Sequence, residues 1–148
     1  MLARYETNEP WLAALGFVGF AGIWLGGMKL MSWRSGWREL ASRFASAAGM
    51  PAKWHTFCSI GSKSADYRGC MAVGISPGFL HLAGTWLFRP FHPPLAIPWT
   101  SITGMSPHPL DSAWIGLSFQ GSHVVFYFRE PMLAEIRAAW EKHRGGTK

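Results

Sequence analysis

Charged side chains are scarce in this sequence. They make up 15% of the 148 residues, whereas soluble domains have about 25%. Nearly half of the residues, 49%, are hydrophobic, so part of the chain is expected to lie outside water. The 14 Lys and Arg outnumber the 8 Asp and Glu. Such a basic excess is typical of proteins that bind nucleic acid or an anionic membrane surface, and its distribution along this chain favours the membrane.

Motifs for catalysis are also missing. The sequence has no G-x-S-x-G elbow, no S-x-x-K pair and no glycine-rich phosphate loop. Its two cysteines, Cys58 and Cys70, are not in a C-x-x-C motif and have no histidine at ligand spacing. We therefore predict a non-catalytic protein without a cofactor or metal and without nucleic-acid binding. In a reducing compartment the default is two free thiols, although a pairing across a hairpin stays open.

Six histidines leave one alternative class open. They are scattered without H-x-x-H spacing, which favours structural or surface roles. If His81, His108 and His123 converged on one pocket, the chain would instead be a membrane-tethered enzyme or metal protein.

One long run of the sequence lacks charge altogether. Residues 11–28, WLAALGFVGFAGIWLGGM, nearly cover a hydrocarbon core of about 30 Å at about 1.5 Å per residue. Snorkelling of Lys29 extends the span to residue 31. The preceding tail, residues 1–10, has one Arg against two Glu, unlike the positive start of a signal peptide. We predict a transmembrane helix over 11–31.

Two further features of the span concern its orientation and its contacts. Four cations follow it closely (Lys29, Arg34, Arg38 and Arg43), whereas Arg4 alone precedes it. The positive-inside rule therefore predicts an external N-terminus and a cytoplasmic C-terminal domain. Gly19, Gly22 and Gly26 lie near one helical face, which predicts close contact with a second copy or another membrane protein.

The residues after the span predict an amphipathic connector helix over 32–50. Its apolar positions recur at helical spacing: Trp33, Trp37, Leu40 and Phe44. Two uses of this stripe stay open. It could lie on the lipid surface, or it could pack on the domain that follows.

From residue 53 onward hydrophobic residues alternate with period two. Runs such as residues 70–76, 113–119 and 123–129 indicate about seven short antiparallel strands, with a tight turn at 120–122. An amphipathic helix over 131–143 follows and must bury its stripe against the sheet. The fold class is thus a membrane-anchored α+β protein with one β domain, residues 53–144.

Four prolines interrupt the apolar segment RPFHPPLAIPW, residues 89–99. Proline cannot donate to a strand ladder and is confined to strand ends and edges. We therefore predict a short edge strand, which would offer its free edge to an extended peptide. Its residues are Leu95, Ala96, Ile97 and Pro98.

Residues 78–105, GFLHLAGTWLFRPFHPPLAIPWTSITGM, together with the final helix, resemble the pleckstrin-homology (PH)-like superfold in its GRAM or bacterial PH-like branch. The whole chain resembles small bacterial membrane proteins with one N-terminal span and such a domain. The resemblance implies a barrel or sandwich of antiparallel strands, plugged at one end by Trp140 of the last helix. It also implies a location in the bacterial inner membrane.

The resemblance raises lipid headgroup binding as an alternative function, through Arg34, Arg38, Lys63 and Arg68. The first hairpin departs from the pattern of phosphoinositide-binding PH domains, because Lys63 and Arg68 are its only cations and Asp66 lies between them. The favoured prediction is therefore a membrane-tethered binding or scaffolding module.

Overall fold

The protein is described from a computed structural model, which covers residues 9–45 and 53–146. Most of the predicted N-terminal tail and the end of the predicted connector lie outside these residues. In chain order the helices and strands are α1 (Pro10–Arg34), α2 (Trp37–Phe44), β1 (Trp54–Ser62), β2 (Asp66–Ile75), β3 (Phe79–Gly84), β4 (Leu95–Pro98), β5 (Ile102–Pro107), β6 (Ile115–Phe119), β7 (Val125–Phe128) and α3 (Met132–Gly145). Two short 3-10 turns, Trp86–Phe88 and Trp99–Ser101, precede and follow β4.

Helix α1 is long and apolar enough to cross a membrane. It has 25 residues and a mean hydropathy of 1.6, and only 6% of its most apolar window is buried. The helix continues past the predicted boundary at residue 31, to Arg34. Trp33 therefore belongs to α1, where its side chain is 69% exposed, and not to the connector stripe.

Helix α2, within the described part of the predicted connector 32–50, begins at Trp37 and packs on the β domain. A turn at Ser35–Gly36 separates it from α1, and Gly36 adopts a φ of +82°, which favours glycine. Trp37 and Leu40 of α2 are fully buried in the domain core. The sequence left open whether the apolar stripe lies on lipid or packs on the domain, and its described part packs on the domain.

The seven strands form one antiparallel sheet with the order β4-β3-β2-β1-β7-β6-β5. The alternating pattern explains its buried face, which includes Met71 and Val73 of β2 and Phe126 and Phe128 of β7. Ala113, the first residue of the alternating run 113–119, lies before β6 and is exposed. Strands β4 and β5 are joined directly through Trp99–Ser101, so the two ends of the sheet approach each other and the sheet is nearly closed.

Strand direction decides which connections share an end of this barrel. Because neighbours alternate in direction, the β1–β2, β3–β4 and β6–β7 connections lie at one end, which we call the helix-docked end. The α1–α2 corner covers it: Arg43 donates to the Gln120 carbonyl at 3.1 Å, and the Trp37 indole donates to the Pro93 carbonyl at 3.0 Å.

Helix α3, which follows β7 in the chain, supplies apolar side chains to the core. Met132, Leu133 and Ile136 are buried, as the stripe predicted. Trp140, which the resemblance implied as the plug, is only half-buried and carries the Arg144 guanidinium 4.8 Å from its ring centre. The reason is position: the first turns of α3, through Ile136, reach the core, and Trp140 lies about one turn further along. The expected arrangement of an apolar N-terminal helix, seven antiparallel strands and a C-terminal helix is confirmed.

Candidate membrane interface

The loop between β3 and β4 packs along α1. The Phe88 ring lies 5.3 Å from the Trp24 ring, edge to face. Eight residues further along α1, the Ser32 hydroxyl donates a 2.6 Å hydrogen bond to the Phe91 carbonyl. Met28, between these two points on the helix, is buried. The C-terminal half of α1 is therefore attached to the β domain over about two helical turns.

A buried chain of polar groups fixes the α1–α2 corner. The Tyr67 hydroxyl lies 2.7 Å from Ser35 Oγ and 2.8 Å from His92 Nε2. His92 Nδ1 lies 3.0 Å from the Pro90 carbonyl. Because a carbonyl can only accept, Nδ1 of the neutral ring carries the proton, and Nε2 accepts from Tyr67.

Burial sets the protonation states of His92 and Tyr67 in this series of polar groups. It lowers the pKa of His92, which keeps the imidazole neutral, although the contact with the Pro90 carbonyl opposes this. Desolvation also raises the pKa of Tyr67 to about 12, so its phenol keeps the donor proton. Because the phenol and the imidazole are both neutral, these buried groups need no counter-ion inside the protein.

Beside this attachment the domain exposes large apolar side chains. Trp86 is 80% exposed and Leu87 is also exposed, although both neighbour the packed Phe88. Phe57 is 77% exposed and lines an apolar groove of about 510 Å³ together with residues 86–89. Its φ is +59°, a strained conformation for a bulky residue. These side chains form one apolar surface next to α1.

A second cavity, of about 670 Å³, lies where α1 leaves its apolar run. Its lining includes Lys29 and Trp33 of α1, Arg38 of α2 and Phe91 of the β3–β4 loop. Phe91 is the other non-glycine residue with positive φ among those described, at +62°. We call this the junction cavity.

The junction cavity contains one of the four predicted lipid-contacting residues. Arg38 lines it, while Arg34 is exposed at the end of α1. Lys63 and Arg68 belong to the β1–β2 hairpin, where Arg68 lies 3.9 Å from Asp66 and lines a different pocket. Arg38 and Arg68 therefore line separate cavities.

Of the glycines of α1 predicted for helix contact, Gly19 and Gly22 lie away from the domain, whereas Gly26 lines the junction cavity. An added Cβ at Gly19, Gly22 or Gly26 would meet no atom within 4 Å. At about 100° per residue these positions lie on the side of α1 opposite Trp24 and Met28. The face predicted for helix contact is thus open, and its use stays a prediction.

Strand β4 is an edge strand, as its prolines predicted, but its side chains face the core. Leu95, Ala96 and Ile97 are buried and Pro98 is half-buried. Ala45, just after α2, forms an isolated bridge with Leu95. The outer edge is thus partly occupied by the chain's own backbone, which leaves a shorter edge for the predicted peptide.

The three histidines of the alternative reading lie in different settings. His81 is buried beside Ser76 at 2.9 Å, with its pKa lowered by desolvation. His108 packs against the Tyr127 ring at 4.6 Å, and His123 is exposed. Within residues 9–45 and 53–146 no three His, Cys, Asp or Glu side chains are grouped to hold a metal.

The two cysteines are free thiols. Burial raises the pKa of both, which disfavours the thiolate.

Sequence reasoning missed several residues of this interface: Lys29 as a cavity residue, Tyr67, His92, Phe57 and the Trp86–Leu87 pair. A signal for the last was present, since TWLF places four largely apolar residues immediately before the proline-rich turn. The Tyr67–His92 contact joins residues 25 positions apart and has no local signature.

Solved structures similar to this chain include two that cover most of it. The crystal structure of the C-terminal domain of an unknown protein from Leishmania infantum has a TM-score of 0.46 and 14% identity, over 74% of this chain and 94% of that chain. The PH domain from PfAPH has a TM-score of 0.39 and 16% identity, over 60% and 76%. No family model and no curated protein matches the chain.

Proposed function

We propose that this chain is a single-pass membrane protein that holds a non-catalytic PH-like domain against the cytoplasmic face of a bacterial inner membrane, as a binding or scaffolding module. The observation that carries this proposal is the contact between Phe88 and Trp24. Trp24 lies ten residues before the end of α1, about 15 Å along the helix axis. If α1 spans the bilayer, the β3–β4 loop reaches the level of its apolar run.

The composition of that loop supports the same arrangement. Trp86 and Leu87 leave large apolar surfaces exposed, which is costly in water and favourable at a lipid boundary. Tryptophan is enriched at the membrane–water interface because its ring is amphipathic. The loop would therefore act as a second membrane contact beside the span.

Attachment at two points has a consequence for how the domain is presented. The hydrogen bonds from Ser32, Ser35 and Trp37 to the loop and to Tyr67 fix the α1–α2 corner directly on the β domain. A partner would meet the domain in one orientation relative to the bilayer, which is what a scaffolding role requires. The four cations at residues 29, 34, 38 and 43 support a cytoplasmic orientation.

Cysteine labelling in native membranes tests the tether and its orientation. In a Cys58→Ser, Cys70→Ala background, Glu9→Cys should react with an impermeant maleimide from outside, and Lys63→Cys only after the membrane is opened. Release of the protein by alkaline carbonate would refute the tether. The reverse labelling pattern would refute the orientation alone.

A second pair of cysteines tests the depth of the loop. Leu87→Cys should stay unreactive to a water-soluble maleimide even in opened membranes. Leu110→Cys, a fully exposed position on the β5–β6 connection, should react fully. Equal reaction at both positions would refute the proposed contact between the β3–β4 loop and the membrane.

A further inference from the structure

The junction cavity is built from three parts of the chain. Residues 26–33 of α1 form one wall, Arg38 of α2 contributes a second, and Phe91 of the β3–β4 loop contributes a third. Its volume of about 670 Å³ is within the range of small-molecule sites. The Ser32 hydrogen bond to the Phe91 carbonyl and the burial of Trp37 hold these walls in place, so the cavity exists without a ligand.

Two cations line the cavity without an acidic partner. Lys29 and Arg38 form no ion pair with any carboxylate of residues 9–45 and 53–146. The acid next to Arg38 in sequence, Glu39, accepts a hydrogen bond from the Ser122 hydroxyl. Among the residues that the structure describes, no carboxylate contributes to the lining. Lysine supplies a compact charge and arginine a planar fork, and both suit the oxygens of a phosphate group.

Apart from Ser32, whose hydroxyl donates to the Phe91 carbonyl, the remaining described lining is apolar, which distinguishes the ligand from a free anion. Gly26, Leu30, Trp33 and Phe91 surround the cations, and Phe91 is held in a left-handed conformation with its ring exposed. A soluble phosphate would gain nothing from these side chains. A phospholipid would place its phosphate between Lys29 and Arg38 and its first acyl carbons against Leu30 and Gly26.

We infer that the junction cavity binds the phosphate of a single membrane phospholipid, with Lys29 and Arg38 as its anion ligands and Trp33 and Phe91 as its apolar walls. This inference rests on the proposed function, because it needs α1 in the bilayer. It assigns the headgroup to the α1–α2 corner and not to the β1–β2 hairpin. The bound lipid would add a third contact between the domain and the membrane.

Native mass spectrometry of the full chain, released from nanodiscs that contain phosphatidylglycerol and phosphatidylcholine, tests the inference. The wild type should retain one phospholipid. Lys29→Gln with Arg38→Gln should lower that retention about tenfold or more, because both charge-assisted contacts are lost. The matched control is Arg137→Gln with Lys142→Gln on α3, which removes the same two charges and should retain lipid like the wild type.

Four outcomes would overturn the inference. These are equal retention by the cavity variant and the wild type, an equal loss in the α3 control, a loss on Lys63→Gln with Arg68→Gln instead, or displacement of the lipid by millimolar inorganic phosphate. The last would identify a free-anion site. Carbonate extraction of the same variants separates the two proposals, since failure of membrane integration refutes the tether, whereas intact integration without retained lipid refutes only the cavity.

Discussion

Removing the Tyr67 hydroxyl tests whether the buried polar chain holds α1 on the β domain. In Tyr67→Phe, His92 loses the donor to Nε2 and Ser35 loses a 2.7 Å partner. His92 has 0% exposure, so water cannot replace the donor. A buried acceptor left unsatisfied costs about 1–3 kcal/mol, and a net hydrogen bond is worth about 1 kcal/mol. The expected loss of stability is therefore about 2–4 kcal/mol.

Thermal unfolding of the full chain in detergent, followed by tryptophan fluorescence, measures this loss. At roughly 4 °C per kcal/mol for a chain of this size, Tm should fall by about 8–16 °C. Tyr127→Phe is the matched control, because Tyr127 is half-buried and its hydroxyl makes no hydrogen bond to a residue that the structure describes. It should shift Tm by less than about 2 °C.

Amide hydrogen exchange locates the effect. Exchange in residues 89–94 should accelerate in Tyr67→Phe, because His92 anchors that loop through Tyr67 and the Pro90 carbonyl. If Tyr67→Phe and Tyr127→Phe unfold at the same temperature, the chain of hydrogen bonds contributes nothing to the attachment, and the reasoning is wrong.

Three further predictions concern the corner, the buried histidines and the span. Gly36→Ala should lower Tm by several degrees, because its φ is +82° and its Cβ would collide with Val124, whereas Gly78→Ala, with open space, should be nearly neutral. Burial lowers the folded-state pKa of His81 and His92, so below pH 6.5 unfolding takes up protons; Tm should therefore be highest above pH 6.5 and fall below it. In His92→Gln, Tm should depend less on pH, because one of these two groups no longer titrates. If a partner binds the glycine face of α1, Gly22→Ile should prevent its co-purification in a pull-down from native membranes without changing the Tm of the β domain. Co-purification of the same partner with the variant would refute the glycine contact.

The sequence by itself determined the elements of this protein. In an uncharged run long enough to cross a membrane, a single segment can pair its backbone N–H and C=O groups only by forming a helix. Period-two alternation places Met71 and Val73 on one face of their strand, and likewise Phe126 and Phe128, wherever the strands pair. The prolines around residues 95–98 limited β4 to a short edge strand for the same local reason: they remove donors from the ladder.

Only the tertiary structure decided how these elements meet. The boundary between α1 and α2 depends on Gly36 and on the fit of Trp37 into the core, so it was placed too early from the pattern alone. The contacts of Trp24 with Phe88, and of Lys29 with the cavity around Phe91, join residues about 60 positions apart. Burial of Tyr67 and His92 and the meeting of cations in one cavity are properties of packing between distant segments. Local periodicity carries no information about them, because it records which face of an element is apolar and not what that face will contact.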